Sequence, residues 1–214
     1  MTTPDIDGAA ILAQVEAKRG YTLPYHRLFA RHAPALLRDY DRFYESLTLE
    51  KRLLTPVQRE TVWAGLLAAA REVHGFIHMR RATAAGMTND DIARAVAIAA
   101  ATEAFAVIGF SGTNWAAWTL PEALTARYLT IFDAARDGLD PGLAHLVAAV
   151  AMAARRERAG TVLHLARTFQ GGITPGEACE GLSYMLIPCG GNTLIEAVAF
   201  WEEAAKEGVL PAPY

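Results

Sequence analysis

Apolar residues recur every three or four positions along almost the whole chain, a spacing that places them on one face of an α-helix. The pattern predicts helices at residues 8–19, 24–47 with a break near Pro34, 55–85 with a kink allowed at Gly75, 89–109, 121–136, 141–170, 175–187 and 192–207. No run of alternating β-branched residues indicates a strand. We therefore expect an all-α fold.

Several helix ends are marked by residues that satisfy unpaired backbone groups. Three threonines precede predicted helices and are followed three residues later by an acceptor side chain, in the pairs Thr55/Gln58, Thr88/Asp91 and Thr174/Glu177. Such capping boxes satisfy N–H groups that have no partner within the helix. Glycines suited to left-handed helix ends stand at Gly20, Gly86, Gly138, Gly172 and Gly208. Asn192 is the expected cap of the last helix.

The chain repeats itself at an offset of 86 residues. The matching residues are His78, Arg81, Gly86 and Thr88 in the first copy and His164, Arg167, Gly172 and Thr174 in the second. A repeat with a long period is typical of one structural unit used twice. We expect one compact body over residues 1–214, with N-terminal helices in 1–49 and repeats at about 50–115 and 136–201. Features present in one repeat only are the better candidates for chemistry.

Composition and charge narrow the classes of function. The 214 residues are 52% hydrophobic and carry a formal net charge of −3, with no long basic run, so a nucleic-acid partner is not expected. The first residues lack the features of a signal peptide. The most apolar window, 92–110, contains Arg94 and Glu103, which favours a buried helix over a membrane span. Cys179 and Cys189 are expected to be buried thiols in a reducing cytoplasm.

Four basic residues of the first repeat have a helical spacing. Arg71, His74, His78 and Arg81 occur at i, i+3, i+7 and i+10, which places them on one face of a continuous helix. Glu60 would approach this face if the chain bends before Arg71. The residues that replace Glu60, Arg71 and His74 at the repeat offset are Leu146, Glu157 and Gly160. The basic stripe therefore belongs to the first repeat alone.

Residues 53–108 resemble the carboxymuconolactone decarboxylase and alkylhydroperoxidase D-like (AhpD-like) family. The resemblance rests on a Leu-Thr-Pro lead at 54–56, the Arg59–Glu60 pair, and a histidine eight residues before Gly86, followed by Met-Thr-Asn-Asp-Asp-Ile at 87–92. It implies an AhpD-like helical bundle of two related repeats. Family members form trimers or rings of six single modules, so the resemblance implies a homotrimer here, with a dimer as the alternative. Trp115–Trp118 or Phe200–Trp201 would anchor that interface.

The family has a peroxidase branch and a decarboxylase branch. The Cys-x-x-Cys pair of the peroxidase branch falls on Arg71 and His74, so thiol peroxidase activity is not expected. The decarboxylase branch uses neither a thiol nor a cofactor. The resemblance implies a cytoplasmic, cofactor-independent lyase acting on a small carboxylic acid or lactone. His78 and His74 would be the acid/base groups, Glu60 would orient a histidine, and Arg71 or Arg81 would bind carboxylate.

Other interpretations of these residues stay open. His78 and His164 would also fit a structural role, Arg81 and Arg167 an ion pair, and Arg71 and His74 a solvent-facing stripe. A metal bound by His74, His78 and Glu60 is not expected, because the flanking arginines repel a divalent cation. The alternatives to a lyase are a peroxidase-related oxidoreductase and a non-catalytic binding or assembly protein of the same fold.

Overall fold

The computed structural model describes residues 6–214, and contacts group these into two compact units, residues 6–50 and Lys51–Tyr214. The first five residues of the predicted segment 1–49 lie outside the described residues. No residue within 6–214 lies in a β-strand. The predicted all-α class is confirmed.

The N-terminal unit contains three helices. They are α1 Gly8–Arg19, α2 Pro24–His32 and α3 Pro34–Tyr44, and the last continues into a π-helical turn at Glu45–Leu49. The predicted break at Pro34 is present, because proline has no N–H to continue the helical ladder. Arg19 links α1 to α3, because its guanidinium lies 2.5 Å from the Asp41 carboxylate and 3.9 Å from the Tyr44 ring centre.

The second unit contains nine further α-helices within the described chain. These are α4 Pro56–Ala69, α5 Phe76–Ala84, α6 Asn89–Asn114, α7 Ala116–Thr119, α8 Pro121–Arg136, α9 Pro141–Ala154, α10 Arg158–Gln170, α11 Pro175–Ser183 and α12 Gly191–Lys206. Short 3₁₀ turns lie at Val73–Gly75 and Tyr184–Leu186. Most of the predicted helices are present, and α6 runs five residues beyond its predicted end.

The helix ends follow the capping residues closely. All three predicted capping boxes are present, at Thr55, Thr88 and Thr174. The five glycines predicted at helix ends all have a positive φ. The prediction for Asn192 is wrong, because α12 already begins at Gly191 and its N-cap position is Gly190.

Two predicted helices are interrupted by a turn at an arginine. Arg71, after α4, has a φ of +55°, and Arg156, after α9, has a φ of +63°. The chain therefore reverses between α4 and α5, and again between α9 and α10. The prediction of one helix over 141–170 is wrong, and the break in 55–85 falls before Gly75 rather than at it. The two breaks stand at equivalent places in the repeats.

Helix α9 is the central element of the second unit. It is buried on every side from Gly142 to Ala153 and packs against α4, α6 and α10. Its first turn meets the end of α10 where two glycines touch. A Cβ atom on Gly171 would lie 2.5 Å from the Cα of Gly142, a backbone atom that cannot move aside by itself.

We expect Gly171→Ala to lower the free energy of unfolding by about 1–3 kcal/mol, because the added methyl group must push α9 and α10 apart. Urea denaturation of the purified protein measures this loss. Gly191→Ala is the matched control, since a Cβ atom there meets nothing within 4 Å. Equal stability of the two variants would contradict the close packing at Gly142.

Helix α6 has one apolar face in the core and another at the surface. Its 18-residue apolar window has a mean hydropathy of 1.7, and by length and composition alone the helix could cross a membrane; a core helix of a soluble protein passes the same test. Ile98 and Phe105 are buried, whereas Val107 and Phe110 are exposed. The prediction of a buried helix therefore holds for one face only.

Candidate active site

The site of the first repeat is a buried pair of one carboxylate and one imidazole. Glu60 lies in α4 and His78 in α5, and the turn at Arg71 brings the two helices side by side. His78 Nδ1 lies 2.9 Å from Glu60 Oε2, and the two side chains are 7% and 0% exposed. Because an ionised carboxylate only accepts hydrogen bonds, Nδ1 carries the proton and Nε2 keeps its lone pair. Glu60 thus sets the tautomer of His78.

His78 is held in its neutral form. Burial lowers the pKa of His78, and the positive charges of Arg81 and Arg59 act in the same direction, whereas Glu60 opposes them. Desolvation of the buried imidazole is the largest of these effects, so the pKa of His78 is lowered overall. At neutral pH, Nε2 of His78 is therefore available as a base.

Two arginines surround the pair. Arg59 donates from Nε to the other oxygen of Glu60, Oε1, at 3.1 Å, so the carboxylate is bound on both sides. Arg81 lies three residues beyond His78 on α5 and is half-buried. The positive charges of both arginines favour the neutral form of His78.

The imidazole of His78 rests against Trp63. The two rings are stacked, with centres 4.1 Å apart and planes 24° apart. Trp63 also stacks on Tyr184, with ring centres at 4.8 Å. Within the described residues, the buried indole Nε1 of Trp63 has no hydrogen-bond partner. We call these three rings, His78, Trp63 and Tyr184, the ring stack.

The far end of the ring stack is anchored by Glu180. The Tyr184 hydroxyl donates to Glu180 Oε1 at 2.6 Å, and Oε2 accepts from the backbone N–H groups of Leu53 and Leu54 at 2.6 and 3.0 Å. Burial raises the pKa of the Tyr184 hydroxyl, and its hydrogen bond to Glu180 adds to the rise. The second repeat therefore supports the site of the first. Sequence analysis missed this support, although Glu180 and Tyr184 lie four residues apart in the predicted helix 175–187.

Two predicted site residues lie elsewhere. The Arg71 side chain is 83% exposed, with Nη2 3.7 Å from Glu103, and the His74 side chain is 58% exposed, with Nδ1 3.1 Å from Glu72. The prediction that they share one helical face with His78 and Arg81 is wrong, because the helix ends at Ala69 and restarts at Phe76. The structure brings together Glu60, His78 and Arg81, and leaves Arg71 and His74 outside.

The second repeat has a different pair at the equivalent place. His145 Nδ1 lies 2.8 Å from His164 Nδ1, and the Tyr128 hydroxyl lies 2.7 Å from His164 Nε2. Counted from the prolines that begin α4 and α9, the position of Glu60 corresponds to His145. The expected match to Leu146 is wrong, because the segment from the end of α9 to His164 is one residue longer than the segment from the end of α4 to His78.

The second pair carries no carboxylate and stays uncharged at neutral pH. Burial lowers the pKa of His145 to about 4 and that of His164 well below its ordinary value. Phe132 stacks on His145, with ring centres 4.5 Å apart. The two repeats thus share a pair of hydrogen-bonded side chains and differ in its charge.

The two cysteines are free, and their exposure differs. Cys189 is half-buried, and burial raises the pKa of its thiol. Cys179 is exposed on α11, so the expectation of two buried thiols is wrong for that residue. The positions that a peroxidase would fill with cysteines hold Arg71 and His74, both in the exposed turn.

Comparison with known protein families finds the same internal repeat. The family model described as "Carboxymuconolactone decarboxylase family" matches residues 34–117 and, a second time, residues 120–203. No curated protein and no solved structure matches the chain significantly. The two tandem matches confirm the internal repeat and the expected helical fold.

Proposed function

The chain belongs to the carboxymuconolactone decarboxylase family, and we propose that it is a cofactor-independent lyase acting on a small carboxylic acid or lactone. The observation that carries the proposal is the buried Glu60–His78 hydrogen bond, which leaves one imidazole nitrogen free for proton transfer. A carboxylate behind a neutral histidine is an arrangement suited to general acid–base catalysis.

In the proposed reaction His78 moves a proton. Its Nε2 takes the proton of the substrate's carboxylic acid group. The bond between that carboxylate and the carbon conjugated with the lactone carbonyl then breaks, CO₂ leaves, and the electron pair of the broken bond passes into the carbonyl group to give an enolate. The imidazolium returns the proton to carbon. Glu60, at 2.9 Å from Nδ1, stabilises the imidazolium that forms between these steps.

Arg81 is the proposed ligand of the substrate carboxylate. It lies one turn from His78 on α5, and a guanidinium can bind a carboxylate through two parallel hydrogen bonds. Arg71, the other arginine predicted for this role, is not part of the proposal, because its side chain is 83% exposed in the turn after α4. The stacked indole of Trp63 shields the imidazole from water, which strengthens the electrostatic interactions of the site. A cytoplasmic location is part of the same proposal.

The test is turnover by variants of the pair. Small lactone carboxylates that raise the melting temperature are first identified, and CO₂ release is then measured with each of them. We expect His78→Gln and Glu60→Gln to lower kcat by about 100-fold or more. His74→Gln is the matched control and should keep native turnover, since His74 lies in the exposed turn. Native turnover by His78→Gln would overturn the proposal.

A second candidate is a non-catalytic binding or assembly protein of the same fold. The 7% exposure of the His78 side chain favours it, because a substrate must reach Nε2. The same screen separates the two: a carboxylate that stabilises the protein and is never consumed supports binding without catalysis.

A further inference from the structure

The indole N–H of Trp63 is a buried hydrogen-bond donor without an acceptor. The residue is 1% exposed, and across residues 6–214 no group accepts from its Nε1. Trp201 shows the usual arrangement, because it is 2% exposed and its Nε1 donates to the backbone carbonyl of Pro211 at 2.8 Å. Buried polar groups without a partner destabilise a fold and are rare in native proteins. The N–H of Trp63 therefore calls for an acceptor that binds from outside the chain.

The ring stack fixes the direction of this N–H. The indole of Trp63 stacks on His78 and on Tyr184, with ring centres at 4.1 and 4.8 Å. Tyr184 is held in turn by its hydrogen bond to Glu180. Packing against two rings leaves the indole little freedom to turn. A donor whose direction is set in advance stabilises a developing negative charge without having to reorganise.

The N–H also lies beside the proposed base. Because the indole and imidazole rings face each other at 4.1 Å, an acceptor bound to Nε1 lies within the length of a small lactone from His78. The donor belongs to the first repeat alone. Counted from the prolines that begin α4 and α9, the position of Trp63 corresponds to Ala148, which has no polar side-chain atom. The repeat that carries the buried carboxylate is thus the one that carries the unpartnered donor.

We propose that Trp63 is a catalytic residue, whose indole N–H binds the carbonyl oxygen of the substrate and stabilises the enolate that forms as CO₂ leaves. This inference rests on the proposed function. The electron pair of the broken carbon–carbon bond moves into the carbonyl group, so the oxygen beside Nε1 gains the negative charge while the indole keeps its proton. A neutral donor suits an oxygen that is uncharged in the substrate, because the hydrogen bond then strengthens toward the transition state.

Removal of the N–H alone tests this role. Trp63→benzothienylalanine keeps two fused rings and places sulfur where the N–H was, so the ring stack is retained. With the lactone carboxylate found by the screen, we expect kcat to fall about 100-fold and KM to stay within about threefold. The melting temperature should not fall, since the free protein loses no hydrogen bond.

Trp201→benzothienylalanine is the matched control. Trp201 is as deeply buried as Trp63, but its N–H has an acceptor within the chain. The substitution should lower the melting temperature, because the carbonyl of Pro211 loses its donor, and should leave kcat at the native value. A purely structural role of the Trp63 N–H predicts the same pattern for both variants, whereas catalysis predicts opposite ones.

An unreactive ligand tests the contact without turnover. The four tryptophans give four indole signals in a nitrogen–proton correlation spectrum, and that of Trp63 is the one lost in Trp63→Phe. Paraconate is a saturated lactone carboxylate whose carboxyl-bearing carbon is not conjugated with the carbonyl, so it cannot form the enolate. It should move the indole proton signal of Trp63 downfield. Cyclopentanecarboxylate, which has a ring and a carboxylate but no carbonyl, should leave that signal unchanged.

The outcomes separate this inference from the proposed function. Loss of turnover in His78→Gln together with native kcat in Trp63→benzothienylalanine would overturn the role of Trp63 and leave the lyase in place. Native turnover by His78→Gln would overturn the lyase and this role with it. A Trp63 signal that paraconate never moves, as when Nε1 holds only a water molecule, or that cyclopentanecarboxylate moves equally, would also overturn the role.

Discussion

Replacement of Glu180 by alanine is expected to lower the free energy of unfolding by about 3–5 kcal/mol, the largest loss from any single substitution considered for this chain. The carboxylate is 1% exposed and accepts hydrogen bonds from Leu53 N, Leu54 N and the Tyr184 hydroxyl. Alanine leaves all three donors without this acceptor, and two of them belong to the buried residues Leu54 and Tyr184. Urea denaturation followed by circular dichroism measures the loss.

The same helix supplies a control for this prediction. Glu177 is one turn earlier on α11 and accepts hydrogen bonds from Thr174 as part of a capping box at the surface. Glu177→Ala should therefore cost only about 1 kcal/mol. Glu180→Gln should fall between the two, because the amide keeps one acceptor oxygen and turns an NH₂ group toward a donor. A Glu180→Ala variant as stable as Glu177→Ala would show that Glu180 does not hold Leu53 and Tyr184.

As the pH is lowered from neutral, we expect the free energy of unfolding to fall at pH values above those at which most carboxylates bind a proton. Burial lowers the pKa of His145 to about 4, whereas the unfolded chain binds that proton near pH 6.5. Stability is therefore complete above pH 6.5 and is lost as the pH falls from 6.5 toward 4. His145 alone accounts for about 2 kcal/mol between pH 7.5 and pH 5, and His78 and His164 act in the same direction.

His145→Gln isolates this contribution. The free energy of unfolding of both proteins falls between pH 7.5 and pH 5. We expect this fall to be about 2 kcal/mol smaller for the variant than for the native protein. Urea midpoints measured at half-unit pH intervals give both curves. His74→Gln should follow the native curve, because the His74 side chain is 58% exposed. Parallel curves for His145→Gln and the native protein would contradict the role of the buried pair.

Local features of the fold were predictable from the sequence. Threonine caps and terminal glycines act within one helical turn, so their positions alone marked most helix ends. The turns at Arg71 and Arg156 were not predictable, because in both the residue with the left-handed backbone is an arginine rather than a glycine. Their equivalent positions in the two repeats became evident only from the structure.

The candidate site was predictable only in part. The difference between the repeats pointed to Glu60, and the family resemblance pointed to His78. Helical spacing also assigned Arg71 and His74 to the site, which is wrong, because residue spacing defines a shared face only within an unbroken helix. The contact between Trp63 and Tyr184 joins residues far apart in the chain, and no local pattern reports such a contact.

The support that Glu180 and Tyr184 give to Trp63 has a consequence for the gene duplication itself. An ancestral single module would need a second molecule to supply the tyrosine and the glutamate, whereas the fused chain carries them on one polypeptide. In the fused chain the second repeat can therefore change its own histidine pair while it continues to support the site of the first repeat. Selection would then act on the two halves separately, one for its chemistry and one for its scaffold.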